Sequence, residues 1–467
     1  MRHPLLLRQP KILPPLDEDF RPAVLGNLAF REAVRDSGNA VPVRIGLERS
    51  DGSLSIHNTA VLPPGHRFAA ANPDYVERLV KMLLWQLGGY KILFGGPGDI
   101  GEQIRMRYSE DGPLAFDARL MGDVYERTFS VEVLDTEAVP EARELQQQPR
   151  GRHLEGCRIG FDAGASDHKV AAVVDGEVVF SEETPWLPAH ESDPQYHIDA
   201  ISGALRTAAE HMPRVDAIGV SAAGVYVRNR VMVASLFRSV PRDVFRKRVS
   251  DLYLNLQKEW GGIPFDVAND GEVAALAGSM SLDDTRVLGI ALGSSEAGGY
   301  VTEDGNITSW LNELAFPSVD FNPQAPVDEW SGDRGCGGEY FSQKAAIRLA
   351  SKAGIALDAS QTPAEQLKAL QGLLAQGDER ARKVFDTIGC TMGYGIAHYA
   401  DHYSLKHVML MGRVVSGEGG DIIVEKTRDV LREEFPRLAD SVSTSLPSES
   451  SRRTGQAVAA ASLPWVE

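Results

Sequence analysis

The residues best suited to phosphate chemistry begin at Asp162 and continue with the small residues Gly164 and Ser166. Asp162 is the last residue of an apolar stretch, Cys157–Asp162, that is typical of a buried strand, and the two small residues follow it. Small residues let backbone N–H groups approach a phosphate, and a carboxylate at a strand end can hold Mg²⁺ through water. Because Asp, Gly and Ser also dominate ordinary turns, a plain hairpin turn is the simpler interpretation of this segment alone.

A second candidate phosphate segment is Gly293-Ser294-Ser295, which follows the predicted strand Val287–Leu292 and precedes Gly298-Gly299. It could form the opposite side of a grip on the β- and γ-phosphates of a nucleotide. Taken alone, the segment is explained more simply as a glycine-rich bulge.

A candidate general base lies in the pair Asn269-Asp270, between the apolar stretch Ile263–Val267 and a small-residue helix, Gly271–Gly278. A carboxylate at this place could accept the proton of a hydroxyl as that hydroxyl attacks phosphorus. An Asp that precedes a helix is also a preferred N-cap, and one residue can serve both purposes.

Gly412 stands where the predicted strand Val408–Met411 ends. A glycine that opens from a strand toward a helix can pack against an adenine ring. The signal is weak by itself and gains value only from its place after the three preceding motifs.

The elements around these motifs follow one order, which occurs twice. The first series runs from a strand through a hairpin and a helix to another strand: Cys157–Asp162, Val170–Val174, Glu177–Phe180, Tyr196–His211 and Ala217–Ser221. An Asp-Gly pair, Asp175-Gly176, joins the two hairpin strands and is a strong hairpin signal. The second series is looser and comprises Val287–Leu292, a turn at Asp304-Gly305, helices near Gln343–Ala353 and Ala381–His402, and Val408–Met411. Two similar αβ halves predict a nucleotide clamp with a cleft between two lobes.

Composition limits the class of protein. The chain has 467 residues, 43% of them hydrophobic and 24% charged, which is ordinary for globular proteins and long enough for two or three domains. No apolar run approaches the ~18–20 residues that span a bilayer, and the start shows no signal-type segment, so we expect a cytoplasmic protein without a membrane partner. A net charge of −17 argues against a nucleic-acid partner. Three cysteines are too few for a disulfide framework.

The polar segment Glu137–Arg152, centred on Gln146-Gln147-Gln148, is typical of a linker. We therefore predict three domains: an N-terminal α+β domain at 1–150, a first lobe at 151–285 and a second lobe at 286–467.

Together, in this order and spacing, the four motifs resemble the ROK family of sugar kinases and sugar-responsive repressors, within the actin, heat-shock chaperone and sugar-kinase superfamily. The resemblance covers roughly 157–463. The family's first phosphate pattern, Asp-x-Gly-Gly-Thr, is matched by Asp162, Gly164 and Ser166. Its catalytic Asn-Asp pair falls on Asn269-Asp270, and its Gly-Thr-Gly-x-Gly loop is similar to the segment that begins at Gly293.

The resemblance implies an α/β fold: an actin-like ATPase (ribonuclease H-like), two-lobed sugar-kinase fold, plus the extra α+β N-terminal domain. It implies a kinase that uses ATP and Mg²⁺ to transfer the γ-phosphate to a hydroxyl of a hexose or related sugar, alone or as a homodimer. The implied roles are catalytic base for Asp270, Mg²⁺ binding through water for Asp162, nucleotide binding for Gly164, Ser166, Lys169, Gly293, Ser294, Ser295 and Gly412, and acceptor binding for Asn269, Asp270, Glu313 and Glu339.

The chain departs from the family at the motif Glu-Ile-Gly-His, which reads Glu313-Leu314-Ala315-Phe316 here. The family's zinc uses one His and three Cys; Phe316 replaces the His, Ser331 replaces one Cys, and only Cys336 remains. One thiolate cannot complete a four-ligand zinc site, so we predict no zinc and expect the loop Pro317–Arg334 to pack around Trp330.

Glu296, inside the second phosphate segment, is a further departure. An ionised carboxylate beside a γ-phosphate would repel it unless Mg²⁺ or Lys169 lies between them. These departures keep a second function open, namely a catalytically weak or inactive sugar- or nucleotide-binding regulatory protein whose N-terminal part engages a partner.

The N-terminal part predicts strands within Ala40–Val61, a helix capped by Asn72, and a strand at Lys91–Phe94. No helix-turn-helix pattern is visible. Gly96–Gly101 matches G-x-G-x-x-G, which leaves a third function open, a dinucleotide-dependent oxidoreductase that binds NAD through its first 150 residues. We expect neither a clear βαβ unit nor a long helix around that motif, so a partial αβ unit packed on the kinase core is the better interpretation.

Overall fold

The computed structural model describes residues 2–144, 148–447 and 455–466. Its contacts group the chain into two compact units. Unit 1 comprises Met1–Gln146, Ala291–Ala297 and Trp310–Leu446; unit 2 comprises Gln147–Ile290, Gly298–Ser309 and Pro447–Glu467. These cuts differ from the predicted boundaries at 150 and 285, because the first 146 residues group with 310–446.

The N-terminal part of unit 1 is a four-stranded sheet with helices. Its elements are α1 (Ala23–Asp36), β1 (Val41–Glu48), β2 (Leu54–Val61), α2 (Asn72–Leu87), β3 (Lys91–Gly95), α3 (Gly98–Arg107), α4 (Ala115–Tyr125) and β4 (Ser130–Leu134). The strand order is β2-β1-β3-β4. β1 pairs antiparallel with β2 and β3, while β3 and β4 are parallel.

Helix α2 forms because apolar residues recur at helical spacing, and this stripe is buried against the sheet and its neighbours. The predicted cap is wrong. Asn72 is the first helical residue, and its side chain instead binds both backbone groups of Leu62, accepting from the N–H at 3.0 Å and donating to the carbonyl at 2.8 Å.

The sequence predicts no clear βαβ unit around Gly96–Gly101, and this prediction is wrong. A ten-residue helix, α3, follows β3, and the chain returns through α4 to the parallel strand β4. Packing explains one glycine of the motif, because a Cβ on Gly101 would lie 2.6 Å from Val133, whereas a Cβ on Gly98 would have no described residue within 4 Å.

The predicted linker is folded where it is described. Val139 is buried, and Arg143 pairs with Leu54 at the edge of the N-terminal sheet. Gln146-Gln147, at the centre of the prediction, lies outside the described residues.

Unit 2 is built on a five-stranded mixed sheet. Its elements are β5 (Cys157–Ala163), β6 (Asp167–Val174), β7 (Glu177–Pro185), α5 (Pro194–Ala209), β8 (Ala217–Ala222), β9 (Val225–Val227), β10 (Arg230–Val233), α6 (Arg242–Val244), a π-helical turn (Phe245–Val249), α7 (Leu252–Glu259), β11 (Phe265–Asn269) and α8 (Asp270–Leu282). The order is β11-β8-β5-β6-β7, with β11, β8 and β5 parallel and β5, β6 and β7 antiparallel. The predicted hairpin, helix and strands of the first series are confirmed.

One face of this sheet is covered by the last helix of the chain's described part, α14 (Gly455–Ala461), which belongs to the same unit. A Cβ on Gly160 or Gly219 would lie 1.7 Å from the carbonyl oxygen of Ala457 or Ala460, respectively. Only glycine on β5 and β8 therefore allows the helix to approach the sheet this closely.

The remaining elements include two strands that cross the unit boundaries, β12 (Val287–Leu292) and β13 (Glu296–Val301). Unit 1 then adds α9 (Gln343–Lys352), α10 (Pro363–Ala375), α11 (Glu379–Tyr399), β14 (His407–Met411), α12 (Glu418–Glu434), α13 (Pro436–Ser441) and β15 (Ser443–Ser445). β14 and β15 are parallel. Short 3-10 turns occupy Pro4–Leu6, Ala69–Ala71, Thr136–Ala138, Pro188–His190, Ser235–Phe237, Gly337–Glu339 and Arg413–Val415. Within the described ranges, no helix is long and apolar enough to cross a membrane.

Candidate active site

Asp162 is the penultimate residue of β5 in unit 2, where it is half-buried beside the neighbouring parallel strand β8. The Ser221 hydroxyl donates to Asp162 Oδ1 at 2.7 Å. Burial raises the pKa of Asp162 to about 6, the Ser221 hydrogen bond opposes this rise, and the carboxylate of Asp270 adds to it. Asp162 is therefore ionised in most molecules at pH 7 and protonated in acid.

The predicted phosphate residues Gly164 and Ser166 lie in the turn between β5 and β6. The carbonyl of Gly164 accepts from Trp186 Nε1 at 2.7 Å, while Ser166 is exposed and donates to Asp167 at 3.0 Å. Lys169 pairs directly opposite Asp162 in the β5–β6 ladder, so the two side chains share one face of the sheet. The structure therefore groups all four predicted residues of this segment where β5 ends and β6 begins.

Asp270 and Asn269 lie at the start of α8, where the sequence left the roles of base and cap open. Asn269 is the N-cap of α8: its Oδ1 accepts from the N–H of Gly271 at 2.8 Å, and its Nδ2 donates to the carbonyl of Gly224 at 2.7 Å. Asp270 is the first helical residue, and burial raises its pKa. Asp270 Oδ1 also accepts from the N–H of Gly271, at 3.0 Å, and this bond opposes the rise, so the two residues share the cap of α8. The raised pKa of Asp270 suits a group that accepts a proton.

Gln456 links Ser221, the hydrogen-bond donor to the Asp162 carboxyl, to the backbone of Asp270. Its Nε2 donates to Ser221 Oγ at 3.0 Å and to the backbone carbonyl of Asp270 at 3.2 Å. The sequence analysis missed both Ser221 and Gln456. Ser221 could have been noticed as a polar strand end beside the strand of Asp162, but Gln456 belongs to no local motif.

Gly293, Ser294 and Ser295 form the tight turn between β12 and β13, in unit 1. The N–H of Gly293 donates to the Ser295 carbonyl at 3.0 Å, and its own carbonyl accepts from Gln343 at 2.8 Å. Both serines are exposed, and a Cβ on Gly338 would lie 3.1 Å from Ser295 Oγ. The turn thus lies against the segment that leads to Glu339 and α9.

Gly412, at the end of β14, has φ +93°, and a Cβ there would lie 2.5 Å from the carbonyl oxygen of Leu292. The close approach of two strand ends therefore already requires glycine at this position. Its predicted contact with adenine remains a prediction.

Glu296 is buried, and its Oε1 accepts a hydrogen bond from Tyr399 at 2.8 Å. Burial raises its pKa well above the ordinary value, and the charge of Glu313 adds to the rise. A raised pKa favours the neutral form of this carboxyl, and a neutral carboxyl would not repel a phosphate as the sequence analysis expects.

The two predicted acceptor residues in unit 1 differ in their surroundings. Glu339 is buried, and its Oε1 accepts from Lys344 at 2.8 Å. Glu313 is half-buried, and its N–H donates to the carbonyl of Trp85 at 3.0 Å.

The expected role of Trp330 is wrong: 72% of this residue is exposed. The turn that holds it is fixed by Asp328, whose carboxylate accepts from the N–H and hydroxyl of Ser331 at 2.7 and 2.6 Å. Phe316, at the family's His position, stacks on Trp85 with 4.1 Å between ring centroids. Among the residues that the structure describes, no group of three or more His, Cys, Asp or Glu could hold a metal ion.

Comparison with known proteins gives a likeness of structure. Neither a family model nor a curated protein matches the sequence. A ROK hexokinase from Thermus thermophilus superposes with a TM-score of 0.52 and 19% identity, over 65% of this chain and 96% of the hexokinase. A ROK family transcriptional regulator, a homologue of the E. coli MLC protein, gives 0.52 and 19%, over 66% of this chain and 78% of the regulator. The predicted fold is confirmed: this chain has the α/β, actin-like fold that ROK sugar kinases and ROK regulators share.

Proposed function

We propose that the protein is an ATP-dependent kinase that transfers the γ-phosphate to a hydroxyl of a hexose or related sugar. The observation that supports it best is the arrangement in unit 2. Asp162 is the penultimate residue of β5, and Asp270 is the first residue of α8. Hydrogen bonds through Ser221 and Gln456 link the Asp162 carboxyl to the backbone carbonyl of Asp270. Phosphoryl transfer requires such positioned groups and little covalent chemistry.

Asp162 suits a magnesium site. Among the described residues its Oδ2 receives no hydrogen bond, and a carboxylate oxygen with a free lone pair can hold a metal-bound water. Mg²⁺, when bound, would offset the charge of the β- and γ-phosphates. Lys169, on the same face of the sheet, supplies a further positive charge for phosphate.

In this function Asp270 accepts the proton of the attacking hydroxyl, and Asn269 orients the acceptor. One N–H of the Asn269 amide is engaged by Gly224, which leaves its second N–H for a sugar hydroxyl. Glu339 has one oxygen on Lys344 and can accept from a hydroxyl with the other, and Glu313 is the second acceptor. Exposed Ser294 and Ser295 provide the second phosphate segment, and Gly412 the adenine surface.

A regulatory protein that binds sugar or nucleotide without turnover is the second candidate. It is favoured by Phe316, an apolar ring that stacks on Trp85 where the family's Glu-Ile-Gly-His motif has a polar His. The ROK regulator with the same fold supports this candidate as well.

The test is ADP release from Mg-ATP across a panel of hexoses, amino sugars and polyols. We expect a sugar-dependent rate that Asp270→Asn abolishes and that the exposed control Asp243→Asn retains. A rate that Asp270→Asn leaves intact would remove Asp270 from the mechanism. If no sugar raises the rate while calorimetry still detects sugar or ATP binding, the regulatory function is the correct one.

A further inference from the structure

Unit 1 contains an extensive contact between residues 2–126 and a long segment without regular helices or strands, which we call the 312–336 loop. The segment begins at Asn312, beside Glu313, and ends one residue before the turn Gly337–Glu339. It therefore connects Glu313 and Glu339, the two glutamates that bind the sugar in the proposed function. Three separate groups of contacts attach it to the N-terminal part.

The first group is a set of buried charges around Asp333. Asp333 Oδ2 accepts from Lys81 Nζ at 2.8 Å and also from Arg78, both on α2, and Lys81 lies 3.3 Å from Asp117 on α4. The side chains of Lys81 and Asp333 are 1% and 12% exposed. Burial alone would raise the pKa of Asp333, but the two cations outweigh burial and hold it well below its usual range. Asp333 is thus charged at every physiological pH.

The second group is a short strand-like pairing. Ala23 donates to the carbonyl of Val319 at 2.9 Å, and Phe321 donates to the carbonyl of Arg21 at 2.8 Å. The N–H of Arg21 donates to Asp320 Oδ1 at 2.9 Å, while Asp320 Oδ2 accepts from the Tyr340 hydroxyl at 2.6 Å. Asp320 therefore connects the N-terminal part to the residue that follows Glu339.

The third group lies at the start of the loop. The N–H groups of Asn312 and Glu313 donate to the carbonyls of Gln86 and Trp85 at 2.9 and 3.0 Å, and the Trp85 ring stacks on Phe316. The C-terminal end of α2 thereby fixes the backbone of Glu313 directly.

Within the loop, backbone hydrogen bonds connect these attachment points to Glu339. Arg78 donates to Ser318 Oγ at 2.9 Å, and Val319 donates to Gly335 at 2.8 Å. Gly337 donates to the carbonyl of Pro317 at 3.0 Å, and Gly338 to that of Ala315 at 2.9 Å. A displacement at Asp333 therefore has a continuous set of contacts through which it reaches the turn of Glu339.

We propose that residues 2–126 act as a built-in brace that sets the position of Glu313 and Glu339, with Asp333 as the positioning residue that links brace and loop. The role of the two glutamates in binding sugar rests on the proposed function; the brace itself does not. Removing the charge of Asp333 leaves the buried Arg78 and Lys81 with an incomplete set of partners, and the loop then loses one of its three attachments to the N-terminal part.

The test compares Asp333→Asn with Asp333→Glu, which keeps the charge, and with the exposed control Gln324→Ala in the same loop. Deuterium uptake is followed by mass spectrometry in peptides covering 313–340 and in peptides of β5 and α8. We expect Asp333→Asn to raise uptake in 313–340 by about fivefold or more without a change in β5 or α8, and the other two variants to stay near the wild type. Unchanged uptake in 313–340 would overturn the brace.

Kinetics provide the second readout. With turnover, Asp333→Asn should raise the KM of the sugar by about tenfold while the KM of ATP stays within about twofold. An equal rise of both constants would contradict a positioning role for Asp333. If no variant, nor the wild type, turns over sugar, the uptake result alone decides the brace, and the kinase function fails separately. If Asp333→Asn does not fold, Arg78→Lys replaces it, with the same rise in uptake expected on a smaller scale and the same overturning result.

Discussion

The Ser221 hydroxyl donates a hydrogen bond to Asp162 Oδ1 at 2.7 Å, between two neighbouring parallel strands. This hydrogen bond favours the ionised form of a carboxyl whose burial favours the neutral form. The pKa of Asp162, about 6, is the balance of the two effects.

Ser221→Ala removes the effect that lowers the pKa, so the pKa of Asp162 should rise above about 6. The protonated fraction at pH 6.5 then increases, and the Mg²⁺ concentration at half-maximal rate should rise by about three- to tenfold. At pH 8 the carboxyl is ionised in both proteins, and the difference should nearly vanish. Rate against Mg²⁺ at the two pH values measures this, with Ser239→Ala as a control serine distant in sequence. An equal defect at pH 6.5 and pH 8 would show that Ser221 acts in another way.

Asn269 and Asp270 are neighbours with separable roles, so their substitutions should differ in kind. Asn269→Ala removes the α8 cap and should lower the free energy of unfolding by about 1–2 kcal/mol. Asp270→Asn retains a side chain of the same shape and should change stability little while lowering kcat by about 10²–10⁴. Urea unfolding and steady-state kinetics of both variants test whether the two roles are separate. A loss of stability in Asp270→Asn as large as that in Asn269→Ala would indicate a structural role for Asp270.

Local pattern was sufficient for most elements of unit 2. The alternation of apolar residues and the Asp175-Gly176 turn predict β6 and β7, and small residues after β5 mark the phosphate turn. These signals lie within about ten residues of one another, the range over which turn chemistry and side-chain periodicity act. The contact of Gln456 with Ser221, 235 positions apart, depends on how α14 packs on the sheet and has no local signature.

The same limit explains the errors in unit 1. An aromatic residue in a loop suggests burial, yet the Asp328–Ser331 turn leaves Trp330 in solvent. The apolar stripe of α2 predicts a helix, but its charged residues Arg78 and Lys81 would ordinarily be placed in water. Their partner Asp333 is more than 250 positions away, so only the folded chain shows that the charges are buried.

Gly412 and Gly417 form a matched pair, because both have positive φ but only one is crowded. An Ala at 412 would place its Cβ 2.5 Å from the Leu292 carbonyl oxygen, while at 417 no described residue lies within 4 Å. Both have ψ near 180° as well (177° and −157°), a region that only glycine adopts readily. We expect Gly417→Ala to lower the free energy of unfolding by about 1–3 kcal/mol, the cost of the backbone conformation alone, and Gly412→Ala by about 2 kcal/mol more because of the clash. Urea denaturation of the two variants measures the difference. Equal losses would mean that the strand ends move apart at little cost.

Glu296→Gln tests whether the buried carboxyl is protonated. Because burial raises the pKa in the folded protein, Glu296 contributes stability fully below its unfolded pKa of about 4.3, and that contribution is lost as pH rises toward the folded pKa. Gln cannot ionise and its amide oxygen can still accept from Tyr399. The variant should therefore match the wild type near pH 4.5 and gain in relative stability as pH rises to 8.

The measurement is the free energy of unfolding of Glu296→Gln and wild type from pH 4.5 to pH 8, with the exposed Glu433→Gln as a control that should show no such trend. Glu296→Leu, which leaves the buried Tyr399 hydroxyl without its acceptor, should lose about 1–3 kcal/mol at every pH. A Glu296→Gln variant that loses stability relative to wild type as pH rises would mean that an ionised carboxylate is favoured at this position. In that case Glu296 would repel a phosphate bound at the second phosphate segment, as the sequence analysis expects.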